Sequence, residues 1–365
     1  MKLRVALFYH SLVSDWNHGN AHFLRGISTE LQARGHEVYI YEPEDGWSRE
    51  NLLRDYGQDA LDGYVHAFPN LRSRFYQLDR FKPEEALDGI DLALVHEWNH
   101  PGLIAAIGSY RRHHQHLRLF FHDTHHRALT AQEELARFDL TNYDGVLAYG
   151  ASLKEAYGHL GWGKRVYVWH EAADTRVFYP RHSDTKTGDV VWIGNWGDEE
   201  RTEELREYLL RPVKALNLRA LVHGVRYPHT AQAELAEAGI DYGGWLPNFL
   251  VPQVFSQFRV TVHVPRRPYV EKLVGIPTIR PFEALACGIP LVSAPWPDTE
   301  DLFRAGQDFL MAQNGKEMQT HLHNILHDGA LARSLCENGL ETIRQRHTCS
   351  HRVDELLGIY EEVKR

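Results

Sequence analysis

The sequence predicts an α/β protein of two doubly wound domains facing each other across a cleft. Three observations carry this reading. Short apolar, β-prone runs alternate with longer helical patterns in both halves of the chain. A polar, turn-forming stretch, RHSDTKTGD, interrupts the alternation near the middle. The length, 365 residues, exceeds one ordinary core and suits two domains.

The first unit opens with the strand RVALFYH (4–10), a polar loop, and a helix from about Ala21 to Arg34 with Leu24, Ile27 and Leu31 on one face. Gly35 caps it, and HEVYIYE (36–42) is the next strand. Strand-helix-strand repetition requires a parallel sheet with helices on both faces. LALVHEW (92–98), LRLFFHD (117–123), DGVLAYG (144–150) and RVYVWHE (165–171) extend it. Between Trp47 and Lys82 the periodicity weakens, which predicts a longer loop-helix excursion. The composition shifts near Tyr179-Pro180, the expected linker. DVVWIGNWG (189–197), a helix over about Glu199 to Leu210, the strands LRALVHG and VTVHVP, the short helix PFEALACG, the strand IPLVSAP and helices from Gly315 onward follow. The expected domains are 1–182 and 189–340, with a terminal helix in 341–365 packing back towards the first.

Composition narrows the function. With 43% hydrophobic and 24% charged residues the chain is expected to be globular and soluble. A net charge of −9 argues against a general nucleic-acid binder. Three cysteines make no disulfide framework and suit a reducing compartment. The amino-terminal apolar run is too short for a signal sequence, and no segment approaches the ~18 apolar residues of a membrane span. The expected location is cytoplasmic.

One carboxylate, Glu283, stands inside the small, apolar run "TIRPFEALACGIPLVSAP". Buried charge needs a partner. "ADTRVFYP" (173–180), "VWIGNWGDEER", "GWLPNFLVPQVFSQFRVTVHVP" and "RPFEALACGIPLVSAP" occur in an order and spacing that resemble glycosyltransferases of the two-Rossmann-domain GT-B fold. The nearest likeness is to CgeB-type enzymes, over essentially the whole chain. The resemblance implies transfer of a sugar from a nucleotide diphosphate donor, a UDP-sugar in particular, to an acceptor hydroxyl. It further implies retention at the anomeric carbon and no metal or other cofactor. The acceptor, a small molecule, glycan or protein, is left open. It also implies that Glu283 accepts hydrogen bonds from the donor ribose. The competing structural reading makes Glu283 a first-turn helix carboxylate facing the helix dipole.

Relatives carry an earlier Glu eight positions before; here that place is Gly275, which departs from the pattern. "VGIPTIR" then suggests that Gly275 and Ile276 N–H groups, Thr278 and Arg280 cradle the diphosphate. Arg266, Arg267, Lys272 and Arg280 crowd the approach to the helix, and Arg201 follows the GNWGDEE turn with Asn195; some of these cations meet the leaving diphosphate. In the first half "DWNHGN" places His18, Gly19 and Asn20 after the first strand, where Gly19 allows close approach to the donor; an ordinary turn with an Asn cap competes. "VHEWNHP" offers His96, Glu97 and Asn99, and "FFHDTHHR" offers His122, Asp123, His125 and His126 as walls of the acceptor side. An inverting reaction would need a base, with His18 or His125 the candidates. The alternatives are a nucleotide-sugar epimerase on the same fold, a metal-dependent hydrolase using the second histidine cluster, or a non-catalytic sugar-nucleotide binder.

Overall fold

The computed structural model describes residues 2–197 and 199–365. The chain divides into two compact units, Met1–Glu171 with Cys349–Arg365, and Ala172–Thr348.

The first unit is a seven-stranded parallel sheet in the order β3-β2-β1-β4-β5-β6-β7. Its strands are β1 Arg4–Phe8, β2 Glu37–Pro43, β3 Ser73–Tyr76, β4 Leu92–His96, β5 Arg118–Asp123, β6 Gly145–Ala148 and β7 Val166–Val168. The central pair is apolar from Val5 to Phe8 and from Leu92 to Val95, as suits strands covered by helices on both faces. Val5 pairs with Val38 on one side and Leu92 on the other, and all of β4 is buried. Each Leu or Val buried there contributes about 1.5–3 kcal/mol. The sheet reverses its winding between β1 and β4, so their carboxyl ends form the switch point where such sheets take ligands.

The weakly periodic 47–82 stretch contains two helices, Trp47–Tyr56 and Gln58–Ala67, and the edge strand β3. Gly57, at φ +74°, separates the two helices. The terminal helix begins at Cys349 rather than near 341. It packs on the Ala21–Ala33 helix. Arg34 donates to the Ser350 carbonyl at 2.9 Å, and Trp169 Nε1 donates to the Arg352 carbonyl at 2.8 Å. The preceding helix, Gly329–Arg346, stays in the second unit, where Gly339 lies so close to Leu285 that a Cβ would come within 2.7 Å of it.

The second unit is a six-stranded parallel sheet, β10-β9-β8-β11-β12-β13. Its strands are β8 Val190–Ile193, β9 Ala220–His223, β10 Ile240–Tyr242, β11 Val260–His263, β12 Leu291–Ser293 and β13 Leu310–Met311. Val190, Trp192, Val222, Val260 and Val262 build its core with Leu205, Met318 and Leu322 from the helices. Its switch point lies between β8 and β11. The unit starts at Ala172, ahead of the expected linker. The Ala173 N–H donates to the His347 carbonyl at 2.9 Å, so ADTRVFYP belongs here rather than to the first unit. The three cysteines form no disulfide, and among the described residues no helix is long and apolar enough to cross a membrane.

The loop after β1 is held by buried charge. Arg25 donates to the Leu12 carbonyl and pairs with Asp15, both at 2.8 Å, and its guanidinium lies 4.8 Å from the Tyr64 ring centroid. Glu42 accepts the Leu12 N–H at 2.8 Å from the neighbouring strand end. Arg25→Ala leaves Asp15 buried without this cation, and the expected loss is about 3–5 kcal/mol of unfolding free energy in urea titration. A loss under about 1 kcal/mol would show that the pair does not anchor the loop.

Candidate active site

In the second unit the β8 and β11 ends are joined by one guanidinium. Arg201 donates through Nε at 3.1 Å and through Nη2 to the Asn195 carbonyl after β8, and through Nη1 at 3.0 Å to the Val264 carbonyl after β11. It also lies 5.0 Å from the centroid of the Trp192 ring. The loop can pass over it because Gly197 has φ +96°; a Cβ there would come within 2.9 Å of Arg201 Cγ and Nε. Among the described residues no carboxylate forms an ion pair with Arg201. Burial, with the nearby cations Arg266 and Arg280, lowers its pKa to about 9. The Arg266 and Arg280 charges are thus near enough to act on Arg201.

The expected donor residues take different places around this cation. Arg266 pairs with Glu200 at 3.2 Å, while the exposed Arg267 turns to Glu204 at 2.8 Å and the Glu199 carbonyl at 2.7 Å. Asn195 is a structural staple, its Oδ1 accepting the Val225 N–H at 2.9 Å. Thr278 caps the Ile279–Ala286 helix without a side-chain capping bond, and its hydroxyl lies 3.4 Å from His263 Nε2. Gly275 has φ +96° and packs against Thr299, whereas the Ile276 N–H closes a turn on the Leu273 carbonyl at 3.4 Å. Lys272 is exposed after the short Arg267–Glu271 helix.

Glu283 has a partner in the protein. It is 0% exposed and accepts from Arg280, one helical turn before it. The first-turn reading does not describe it. The helix begins at Ile279, so Glu283 is not in its first turn, and its contact with Arg280 makes the carboxylate an anchor for that cation. The sequence reading passed over His263, inside VTVHVP. Its Nδ1 lies 2.9 Å from Ser293 Oγ, and burial with the Arg201 and Arg280 cations lowers its pKa to about 3, so it is neutral at pH 7.

In the first unit, the β1, β4 and β5 ends bring together imidazoles of His10, His18, His96 and His122. Ring centroids lie 4.0 Å apart for His10 and His18, 5.2 Å for His10 and His96, and 5.1 Å for His96 and His122. Burial holds all four neutral, with His10 and His122 lowered to about 3. Hydrogen bonds fix the His96 tautomer. The Trp98 N–H donates to Nδ1 at 3.4 Å, so Nε2 carries the proton and donates to Thr124 Oγ1 at 3.3 Å. Thr124 accepts from Asn20 Nδ2 at 3.1 Å and donates to Glu97 at 3.4 Å.

This network corrects the expected acceptor wall. His96, Glu97, Asn99, His122, Asp123 and His126 are buried, and most are spent on the protein. Glu97 pairs with Arg127; Asn99 donates to the Phe8 carbonyl at 2.8 Å; Asp123 accepts the Tyr157 hydroxyl at 2.8 Å and the His125 N–H at 3.0 Å. Burial pushes the Glu97 and Asp123 carboxyls upward, and the Arg127 guanidinium paired with Glu97 pulls both back down. His126 Nδ1 lies 2.7 Å from Thr130 Oγ1. Parts of His10, Gly19, Asn20, Trp98, His125 and Arg127 remain accessible, and His18 is nearly covered. Sequence reasoning missed His10, Trp98 and Arg127, although the quoted motifs contain them. Among the described residues no three His, Cys, Asp or Glu side chains form a group suited to a metal.

The architecture has counterparts among solved structures. Sucrose-phosphate synthase from Thermosynechococcus elongatus aligns over 99% of both chains at 16% identity, with a TM-score of 0.68. An alpha-glucosyltransferase in complex with UDP and DNA containing an HMU base aligns over 99% of this chain and 100% of its own, at 14% identity and a TM-score of 0.70. T4 phage BGT in complex with UDP and Mn2+ aligns over the full length of both at 12% identity, with a TM-score of 0.62. Residues 201–358 match the family model described as glycosyl transferase-like. No curated protein matches in sequence. The chain has the GT-B architecture, and its second half carries the match to the glycosyl transferase-like model. The narrower likeness to CgeB-type enzymes stays a sequence expectation.

The neutral imidazoles set a pH dependence. Between pH 6.5 and 4 the unfolded chain protonates His10, His18, His96, His122 and His263, whereas the folded chain does not, so their contribution falls on acidification. Glu97 and Asp123 act oppositely, because the folded state holds their protons above the ordinary carboxyl range. Histidines outnumber carboxyls, so unfolding free energy is expected to fall between pH 7 and pH 5 by about 2 kcal/mol or more. Equal stability at the two values would contradict the buried, neutral assignment.

Proposed function

We propose that the chain transfers a sugar from a nucleotide diphosphate sugar, with uridine as the base, to an acceptor hydroxyl, the donor lying on the second unit and the acceptor on the first. The observation that carries this reading is Arg201, a cation with carbonyl and aromatic partners but no ion-paired carboxylate among the described residues. A partly buried guanidinium in that state suits an anionic ligand, and a departing diphosphate brings its charge to just such donors. Arg266 and Arg280 stand beside it, with Glu283 orienting Arg280. In this reading the Thr278 hydroxyl, the Gly275 turn and the exposed Lys272 are further phosphate contacts. The UDP in two of the structural neighbours supports uridine.

Arg201→Ala is expected to weaken UDP binding by about 1.5–3 kcal/mol, roughly ten- to a hundred-fold, in titration calorimetry. Unchanged affinity would remove the phosphate assignment. In this reading the arginines, rather than a metal, meet the leaving charge. UDP binding and sugar transfer should therefore survive EDTA. The neighbour with UDP and Mn2+ makes metal assistance the competing reading. Loss of transfer in EDTA with recovery in Mn2+ would establish it.

We further infer retention at the anomeric carbon. Inversion needs a base, and the depressed pKa of His18 makes its imidazole a poor one. Product analysis by proton NMR is expected to give the donor's anomeric configuration. An inverted product would direct attention to His125. Product formed without any acceptor would favour the epimerase.

A further inference from the structure

Resting on the reading that the first unit receives the acceptor, we propose that the Trp98 indole is the platform on which the acceptor stacks, and that the acceptor presents a neutral pyranose ring. Trp98 directly follows Glu97 at the end of β4, at the switch point of the first sheet. It is 42% exposed although Glu97 before it and Asn99 after it are buried. An exposed Trp at a ligand-binding edge is a marked feature, since its ring carries a large contact area.

The ring is held in place from one side. The Arg127 guanidinium carbon lies 3.9 Å from the indole centroid, and Arg127 is itself fixed by the Glu97 carboxylate and, at 2.9 Å, by the Glu97 carbonyl. Arg127 therefore backs the indole while Trp98 keeps 42% of its surface exposed. Around the ring stand polar groups. His125 lies 5.0 Å away with its plane at 74°, and His10 lies 6.1 Å away. His10 Nδ1, His18 Nε2 and Asn20 Oδ1 are buried atoms without a partner among the described residues. A hydroxyl, directly or through one water, would complete such groups.

Each feature selects against another ligand class. A pyranose has C–H groups on its faces and hydroxyls around its edge, which matches an apolar plate inside a polar rim. A neutral imidazole offers one donor and one acceptor, as a hydroxyl needs. An anionic acceptor gains little, because the guanidinium at this edge is committed to Glu97. A cationic acceptor would meet Arg127 behind the ring, which opposes its attraction to the indole. A flat apolar aromatic would stack but leave the rim unpaired.

The test needs no knowledge of the donor sugar. Saturation-transfer NMR with methyl glucopyranoside, methyl galactopyranoside and methyl mannopyranoside reads ring-proton contact with the intact chain, and glucose 6-phosphate and glycerol serve as charged and ringless probes. At least one neutral pyranoside is expected to bind the wild type. Its affinity should fall at least about five-fold in Trp98→Ala and recover largely in Trp98→Phe, with UDP affinity unchanged in both. Equal pyranoside binding by Trp98→Ala, absence of pyranoside binding by a wild type that binds UDP, or preference for glucose 6-phosphate would each overturn the proposal. Failure of the wild type to bind UDP while pyranosides bind through Trp98 would instead sink the donor reading alone.

Discussion

The second unit depends on one cation that is held by carbonyl oxygens and, among the described residues, forms no ion pair with a carboxylate. Arg201 ties the turn after β8 to the strand end of β11 through carbonyl oxygens, and it does so at the point where the sheet reverses its winding. Carbonyls satisfy its donors without cancelling its charge. Burial and the neighbouring Arg266 and Arg280 make that charge costly, which is why its pKa is depressed. The same arrangement favours an anion beside these guanidinium groups. Gly197 and Gly224 serve the geometry: the first lets the chain pass Arg201, and the second lies so near Gly194 that a Cβ would come within 2.1 Å of its carbonyl oxygen.

The first unit solves a different problem at its own switch point. Its histidines and carboxylates are mostly buried and turned on one another, so they shape the strand ends without carrying much charge to the surface. Thr124 links Asn20, His96 and Glu97, and Glu97 fixes Arg127, which in turn backs Trp98. Buried polar groups of this kind position what is exposed. One unit is therefore cationic at its site and the other neutral and amphipathic. That contrast supports the proposal that the donor binds the former and the acceptor the latter.

Much of the fold was legible because periodicity reports burial. RVALFYH, LALVHEW and LRLFFHD lie in central strands whose faces are both covered, and their apolar runs show it. The edge strands β3, β10 and β13 escaped notice because they have two to four residues and little apolar pattern. At the site, sequence density pointed to the arginines. Residue type could not tell which histidines face solvent: His96 and His122 are buried, while Trp98, inside the same motif as His96, is exposed. Glu283 was recognisable as a charge needing a partner, but only the helical start at Ile279 sets Arg280 one turn before it.

The central claim is that the diphosphate of a nucleotide sugar lies against Arg201 at the β8 and β11 ends. A crystal structure of the chain with UDP tests it most directly. The account predicts phosphate oxygens within hydrogen-bonding distance, about 2.7–3.2 Å, of the Arg201 guanidinium or of Arg280 beside it. Phosphates bound elsewhere, with Arg201 still enclosed by its carbonyls, would contradict it.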